Sequence, residues 1–269
     1  MSVKKALAAL PLVLNACGGG DGDDTPDYTP NEIGQGIWNG GFSATTINTT
    51  SSASGSVSTF EPTAVTGIGL YSSYITRNNY DEKRAFFFKE DDGTLFTNDY
   101  PGIVNNILVS GPSIYRSGNT TGSVSINANA YISTSISGSY TGSINGYYVM
   151  LFDQKYFRGA NLASLAGNWN YTPPSSNAVG DWQFSVNSDG TFTIISTVVT
   201  SCTGNGAFFT IGDGSKNEYD VSVLLSDCGA FNGGYRGLAA TIDTSVQNDT
   251  LIMALYNADH GFFLKPVKN

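Results

Sequence analysis

From residue 180 onward the chain places apolar side chains at every second position, and that alternation admits one kind of fold. Trp182, Phe184 and Val186 alternate with Gln183, Ser185 and Asn187; a Ser188-Asp189-Gly190 turn follows, and Phe192 and Ile194 resume the pattern. Tyr219, Val221, Val223 and Leu225 repeat it, as do Leu251, Met253 and Leu255. A period of two with a polar opposite face is that of an antiparallel strand with one buried side. No stretch holds a helical period, charged residues make up only 13%, and Gly, Ser, Thr and Asn fill the connections, so the chain reads as all-β. Eight runs are counted in this half, at 166–171, 180–187, 190–201, 206–211, 217–225, 234–242, 249–256 and 260–265. Short Gly-containing connections favour an up-and-down meander, and eight such strands can close into a small barrel that leaves no exposed edge.

The first half carries the same punctuation. Gly36-Ile37-Trp38 answers Gly167-Asn168-Trp169, Asp92-Gly93-Thr94 answers Asp189-Gly190-Thr191, and Gly138-Ser139-Tyr140-Thr141-Gly142 answers Gly233-Gly234-Tyr235-Arg236-Gly237. From turn Asp to motif Tyr is 48 residues in one half and 46 in the other. From Trp to turn Asp the distances are 54 and 20, so the first half holds about 34 extra residues near its start. The expected architecture is two antiparallel meander β-barrel modules in tandem, 33–160 and 161–269, the second able to fold alone. Asn145-Gly146 is expected to form a type I′ hairpin turn closing the first module.

Lys4 and Lys5 precede an apolar run, residues 6–14, too short to span a bilayer as a helix. The tetrapeptide after it, Leu14-Asn15-Ala16-Cys17, resembles the bacterial lipobox. The resemblance implies a signal peptide over 1–16, cleavage after Ala16 and a diacylated Cys17. Gly18 stands where an Asp would resemble the inner-membrane retention signal, so the implied address is the outer membrane. Two or three acyl chains hold a protein there without a transmembrane helix. Residues 17–32 read as a flexible acidic tether; Asp21, Asp23 and Asp24 lack the spaced ligands and terminal Glu of a calcium loop. The net charge of −9 becomes −11 without Lys4 and Lys5, which disfavours a nucleic-acid partner.

With Cys17 lipidated, Cys202 and Cys228 remain, and in an exported protein a disulfide between them is the default reading. They flank the hairpin built on Gly212-Asp213-Gly214; a zinc site is the weaker alternative, since two cysteines lack the other ligands. No catalytic constellation emerges. The one histidine, His260, sits in a turn-like Asp259-His260-Gly261; no Gly-x-Ser-x-Gly, Walker loop or dinucleotide fingerprint is present, and no cofactor or metal is expected. Aromatic and basic side chains concentrate among the extra residues of the first module. Phe86 and Phe88 read as core there, whereas Tyr71, Tyr74, Arg77 and Tyr80 are candidate partner-binding residues of the types that hot spots favour.

In general build the chain resembles bacterial surface lipoproteins with an acidic tether and eight-stranded barrels, such as transferrin-binding and factor H-binding lipoproteins. The Gly-x-Trp openings resemble those of lipocalins and avidins. The second module also looks like proteobacterial lipoproteins with paired Cys and a Gly-x-Tyr-x-Gly strand. These resemblances imply a non-catalytic, lipid-anchored binding protein engaging a protein partner through barrel loops or faces. The alternatives are a carrier of a small apolar ligand, lined by Trp182, Phe184 and Tyr219 unless these are ordinary core, and a structural or inhibitory protein of the periplasm. A lipid-facing pore is disfavoured, because outward positions are Ser, Thr, Asn and Gln.

Overall fold

The computed structural model describes residues 36–43, 49–52, 55–58, 65–77, 80–89, 94–98, 101–104, 107–117, 120–131, 135–173, 181–197, 201–243 and 246–269. Leader, lipobox, tether and the turn at Asp92 lie outside them. Residues Asn31 to Asn269 form one compact unit.

The first sheet is built from β1 (Gly36–Ser43), β4 (Val65–Arg77), β5 (Tyr80–Lys89), β6 (Thr94–Asn98), β7 (Pro101–Val104), β8 (Ile107–Ser117), β9 (Thr120–Tyr131), β10 (Ser135–Gly142) and β11 (Gly146–Phe152). A separate hairpin, β2 (Thr49–Ser52) with β3 (Gly55–Ser58), intervenes after β1. The nine strands run in the order β6-β5-β4-β1-β11-β10-β9-β8-β7, all antiparallel, and β6 pairs a second time with β8. The extra residues of this half are therefore the β2–β3 hairpin and one added strand. The β10–β11 connection differs from the expected type I′ turn, which needs positive φ at both central residues. Asn145 has no positive φ; its side chain instead accepts the Gly142 N–H at 3.1 Å, and Gly142 takes the unusual backbone, φ 144°.

The second sheet closes. Its strands are β12 (Gly167–Tyr171), β13 (Trp182–Val186), β14 (Thr191–Ser196), β15 (Thr203–Thr210), β16 (Tyr219–Ser226), β17 (Gly233–Ile242), β18 (Thr250–Tyr256), β19 (Gly261–Leu264) and β20 (Val267–Lys268). Each pairs antiparallel with the next as far as β19, and β20 returns to β12, giving an eight-stranded meander barrel in which β19 and β20 share the last place. The break between them falls at Pro266, which has no N–H to donate to a ladder. A short helix, α1 (Leu162–Leu165), precedes β12.

The two sheets share a core. Leu238, Ala240, Ile252, Ala254, Tyr256 and Phe263, on the outside of the barrel, form one buried cluster with Ile37 of β1, Leu95 of β6 and Tyr156 of the connector. β18 is accordingly buried at all seven positions: Leu251, Met253 and Leu255 face into the barrel, while Ile252, Ala254 and Tyr256 face the first module. Burying a face of this size adds a hydrophobic term of about 25 cal/mol per Å² that the barrel alone lacks.

The connector is bolted to both sheets. Asp153 caps the 3₁₀ turn Gln154–Arg158 by accepting the Lys155 N–H at 2.9 Å, and its own N–H donates to the Ile37 carbonyl of β1. Asn217, 0% exposed, accepts from the N–H and hydroxyl of Thr241 and donates to the carbonyls of Lys155 and Thr241. Its backbone N–H bonds the Tyr156 carbonyl, and Arg158 makes a two-pronged ion pair with Asp243.

Candidate functional site

The barrel interior is occupied by the chain's own rings. Trp182, Phe184 and Tyr219 are each 1% exposed. Trp182 packs on Phe184 and Phe262, Phe184 on Phe192, Phe192 on Phe208, and Phe208 on Tyr219, with ring centroids 4.6–6.2 Å apart. The three residues expected to line a cavity are thus members of one packed aromatic column, with Phe192 and Phe208 standing between Phe184 and Tyr219. Burial raises the Tyr219 phenol above its ordinary pKa, and its oxygen accepts the Asn161 N–H at 2.8 Å just before α1.

One end of the barrel is plugged by α1. The Trp169 indole N–H donates to the Leu165 carbonyl at 2.8 Å, and Lys268 donates to the Ser164 carbonyl at 2.8 Å with its ammonium 5.2 Å from the Trp169 ring. Gly167 is what lets Lys268 cross: its φ is 130°, and a Cβ there would stand 3.2 Å from the lysine stem.

The opposite end carries the disulfide. Cys202 and Cys228 are joined, as the compartment argument expected, and tie the connection after β14 to the one after β16. In the chain-entropy model a loop of this length is stabilised by about 3–4 kcal/mol. Nearby, Phe231 stacks on His260 and Phe262, and the Tyr235 hydroxyl donates to the Phe231 carbonyl; burial pushes the Tyr235 phenol up to about 12. His260 sits in a turn whose N–H groups at 259 and 260 both donate to the Asn257 side chain, and no group of His, Cys, Asp or Glu among the described residues is arranged to hold a metal.

The Gly-x-Trp repeat is deeper than its three letters. In register, Trp38 faces Phe152 of β11 as Trp169 faces Lys268 of β20. The N–H one residue further on, Asp153 or Asn269, donates to the residue before the Trp, Ile37 or Asn168. Asn39 donates to the Asp153 side chain at 2.8 Å, and Asn170 to the Asn269 side chain at 2.7 Å. The fourth letter, Asn, was the signal available in the sequence. The tyrosine motifs correspond less well: both lie four strands after the Asp-Gly-Thr turn, counted without the short β7, but Tyr140 is on the strand before the last and Tyr235 is one strand earlier.

Of the candidate partner-binding residues, Tyr71, Tyr74 and Arg77 belong to β4 and Tyr80 opens β5; Arg77 faces Tyr80, and the ladder shifts register between Ser72 and Ile75, around Tyr74. Their side chains, and those of Phe86 and Phe88, lie outside the described residues, as does Cys17.

The outer seam of the barrel holds a groove that pattern reading did not single out. It has a volume of about 230 Å³ and is lined by Asn168, Asn170, Gln183, Phe184, Ser185 and Asn269. Two of the lining residues, Asn170 and Gln183, face each other across the sheet, and in register they are flanked by Val267 and Ile195, which are 45% and 54% exposed. Compared with known proteins, the chain matches no family model, no curated protein and no solved structure.

Proposed function

We propose that the protein is a non-catalytic binding lipoprotein of the outer membrane, which engages its partner through the outside of its β modules and their loops. One observation carries this reading. The closed barrel is filled by its own aromatic column and stopped at one end by α1, so recognition falls to the outer surface rather than the interior. That arrangement weighs against the carrier alternative for this barrel, whose expected lining residues are already packed into its own aromatic column. The shared seam geometry, in which β1 meets β11 as β12 meets β20, supports reading the first sheet as a second barrel of the same plan, its ring completed where β6 pairs with β8.

The lipobox supplies the address. Replacing Cys17 with Ala should move the protein from the membrane to the soluble fraction of the cell envelope, read by fractionation and immunoblotting. Retention in the outer membrane after that change would overturn lipid anchoring.

A further inference from the structure

On β12 to β16 every exposed side chain among the described residues is uncharged, in a chain carrying 13 basic and 22 acidic residues. The acid on these strands, Asp220, is 4% exposed. A face from which charge has been withheld neither steers nor pairs with ionic partners. It also lacks the Trp, Tyr and Arg anchors on which protein interfaces concentrate their energy: the exposed large side chains of these strands are Ile195, Phe209 and Leu224.

What the face offers instead is a set of amides and hydroxyls. Asn and Gln each present a donor pair and an acceptor on one planar group, the complement of vicinal hydroxyls, which also donate and accept. Facing residues on paired strands lie about 5 Å apart, comparable with the width of a single sugar ring. At Asn170 and Gln183 the amides are flanked by Val267 and Ile195, whose methyl groups can cover the C–H face of a ring while the amides take its hydroxyls. Asn170 is held by Asn269, and Ser185 donates to Asn168 at 2.9 Å, so part of the set is oriented before anything binds.

Position argues in the same direction. The equivalent seam of the first module, at Ile37 and Asp153, is used as a docking face: Ile37 is 0% exposed in the cluster against the barrel. On the second module the seam is open, and Asn168 stands where Ile37 stands. We infer that this seam binds a neutral polysaccharide, with one sugar residue seated on the Asn170–Gln183 amide pair. The assignment rests on the reading that recognition lies on the outer surface.

The test is affinity electrophoresis of the full chain, purified in a polyoxyethylene detergent, through native gels cast with dextran, galactomannan or laminarin, with anionic polygalacturonate as control. At least one neutral polymer should retard the protein and polygalacturonate should not. The double variant Asn170→Ala/Gln183→Ala should weaken that retardation at least about fivefold, the loss expected of two or so hydrogen bonds. Gln183→Glu, which keeps shape and leaves the Asn170–Asn269 bond in place, should weaken it as well. Failure of all three neutral polymers, or equal retardation of the variants, overturns the assignment. Native mass spectrometry of the same preparation separates this outcome from failure of the underlying reading, which a co-purifying apolar ligand would sink.

Discussion

Asn217 shows how much of this fold turns on single polar groups. It is fully buried, yet each of its side-chain atoms has a partner, and those partners belong to the connector and to the end of β17. Asn217→Ala would leave the Thr241 N–H and the Lys155 carbonyl without theirs, so a loss of about 2–4 kcal/mol is expected in urea denaturation. A loss within about 0.5 kcal/mol would mean that the connector is held by its other contacts, Tyr156 packing and the backbone bonds among them. The Arg158–Asp243 pair is different in kind, since its side chains are 30% and 26% exposed. Hydrogen bonding from Arg158 holds the Asp243 carboxyl below its ordinary pKa. Its contribution is therefore present above about pH 4, the unfolded carboxylate range, and is lost as pH falls through the depressed value. Solvent screening limits it to about 0–1 kcal/mol. The wild-type chain and Arg158→Ala should differ by that margin at pH 7 and converge in acid, by denaturation at each pH; a gap that widens in acid would reverse the assigned sign.

Among the elements, β18 sets the limit on autonomy. With both faces buried it belongs equally to the barrel and to the shared core, and the outer side of β17 and β19 joins it there. Residues 161–269 expressed alone would expose Leu238, Ile252, Tyr256 and Phe263 together, a patch of the kind that marks interfaces or aggregation. The isolated segment is expected to self-associate; a monodisperse, cooperatively unfolding monomer in sedimentation and thermal melts would show that the shared core contributes little. The shared core bears on the expectation that the second module folds alone, and its cause was legible. The alternation of Leu251, Met253 and Leu255 is real, but the run is unbroken, Leu-Ile-Met-Ala-Leu-Tyr, and an unbroken apolar run denotes a strand covered on both sides. Elsewhere alternation was a faithful guide, because β12 to β14 have a wet outer face: the strands from β12 to β16 fall within a few residues of the runs counted, and the cysteines flank the β15–β16 hairpin as read. The seam groove was not legible in the same way. Asn168, Asn170, Gln183 and Ser185 are ordinary solvent-facing residues one at a time, and only strand pairing sets them beside Val267 and Ile195.

At the scale of the molecule, the first sheet packs against the outer wall of the closed barrel through one buried cluster. The arrangement uses up one face of each and leaves the seam of the second open. It also packs the large rings Trp169, Trp182, Phe184 and Tyr219 into the core of the barrel. An empty or ligand-filled barrel and a self-filled one predict opposite behaviour toward apolar molecules, and the difference decides between a surface receptor and a carrier. The most direct measurement is a titration of the purified protein with a fluorescent apolar probe such as N-phenyl-1-naphthylamine, following probe enhancement and tryptophan quenching together. A filled barrel predicts no saturable enhancement and no quenching of the buried tryptophans; saturable one-to-one binding that quenches them, and that a bulky substitution at Tyr219 abolishes, would contradict the account.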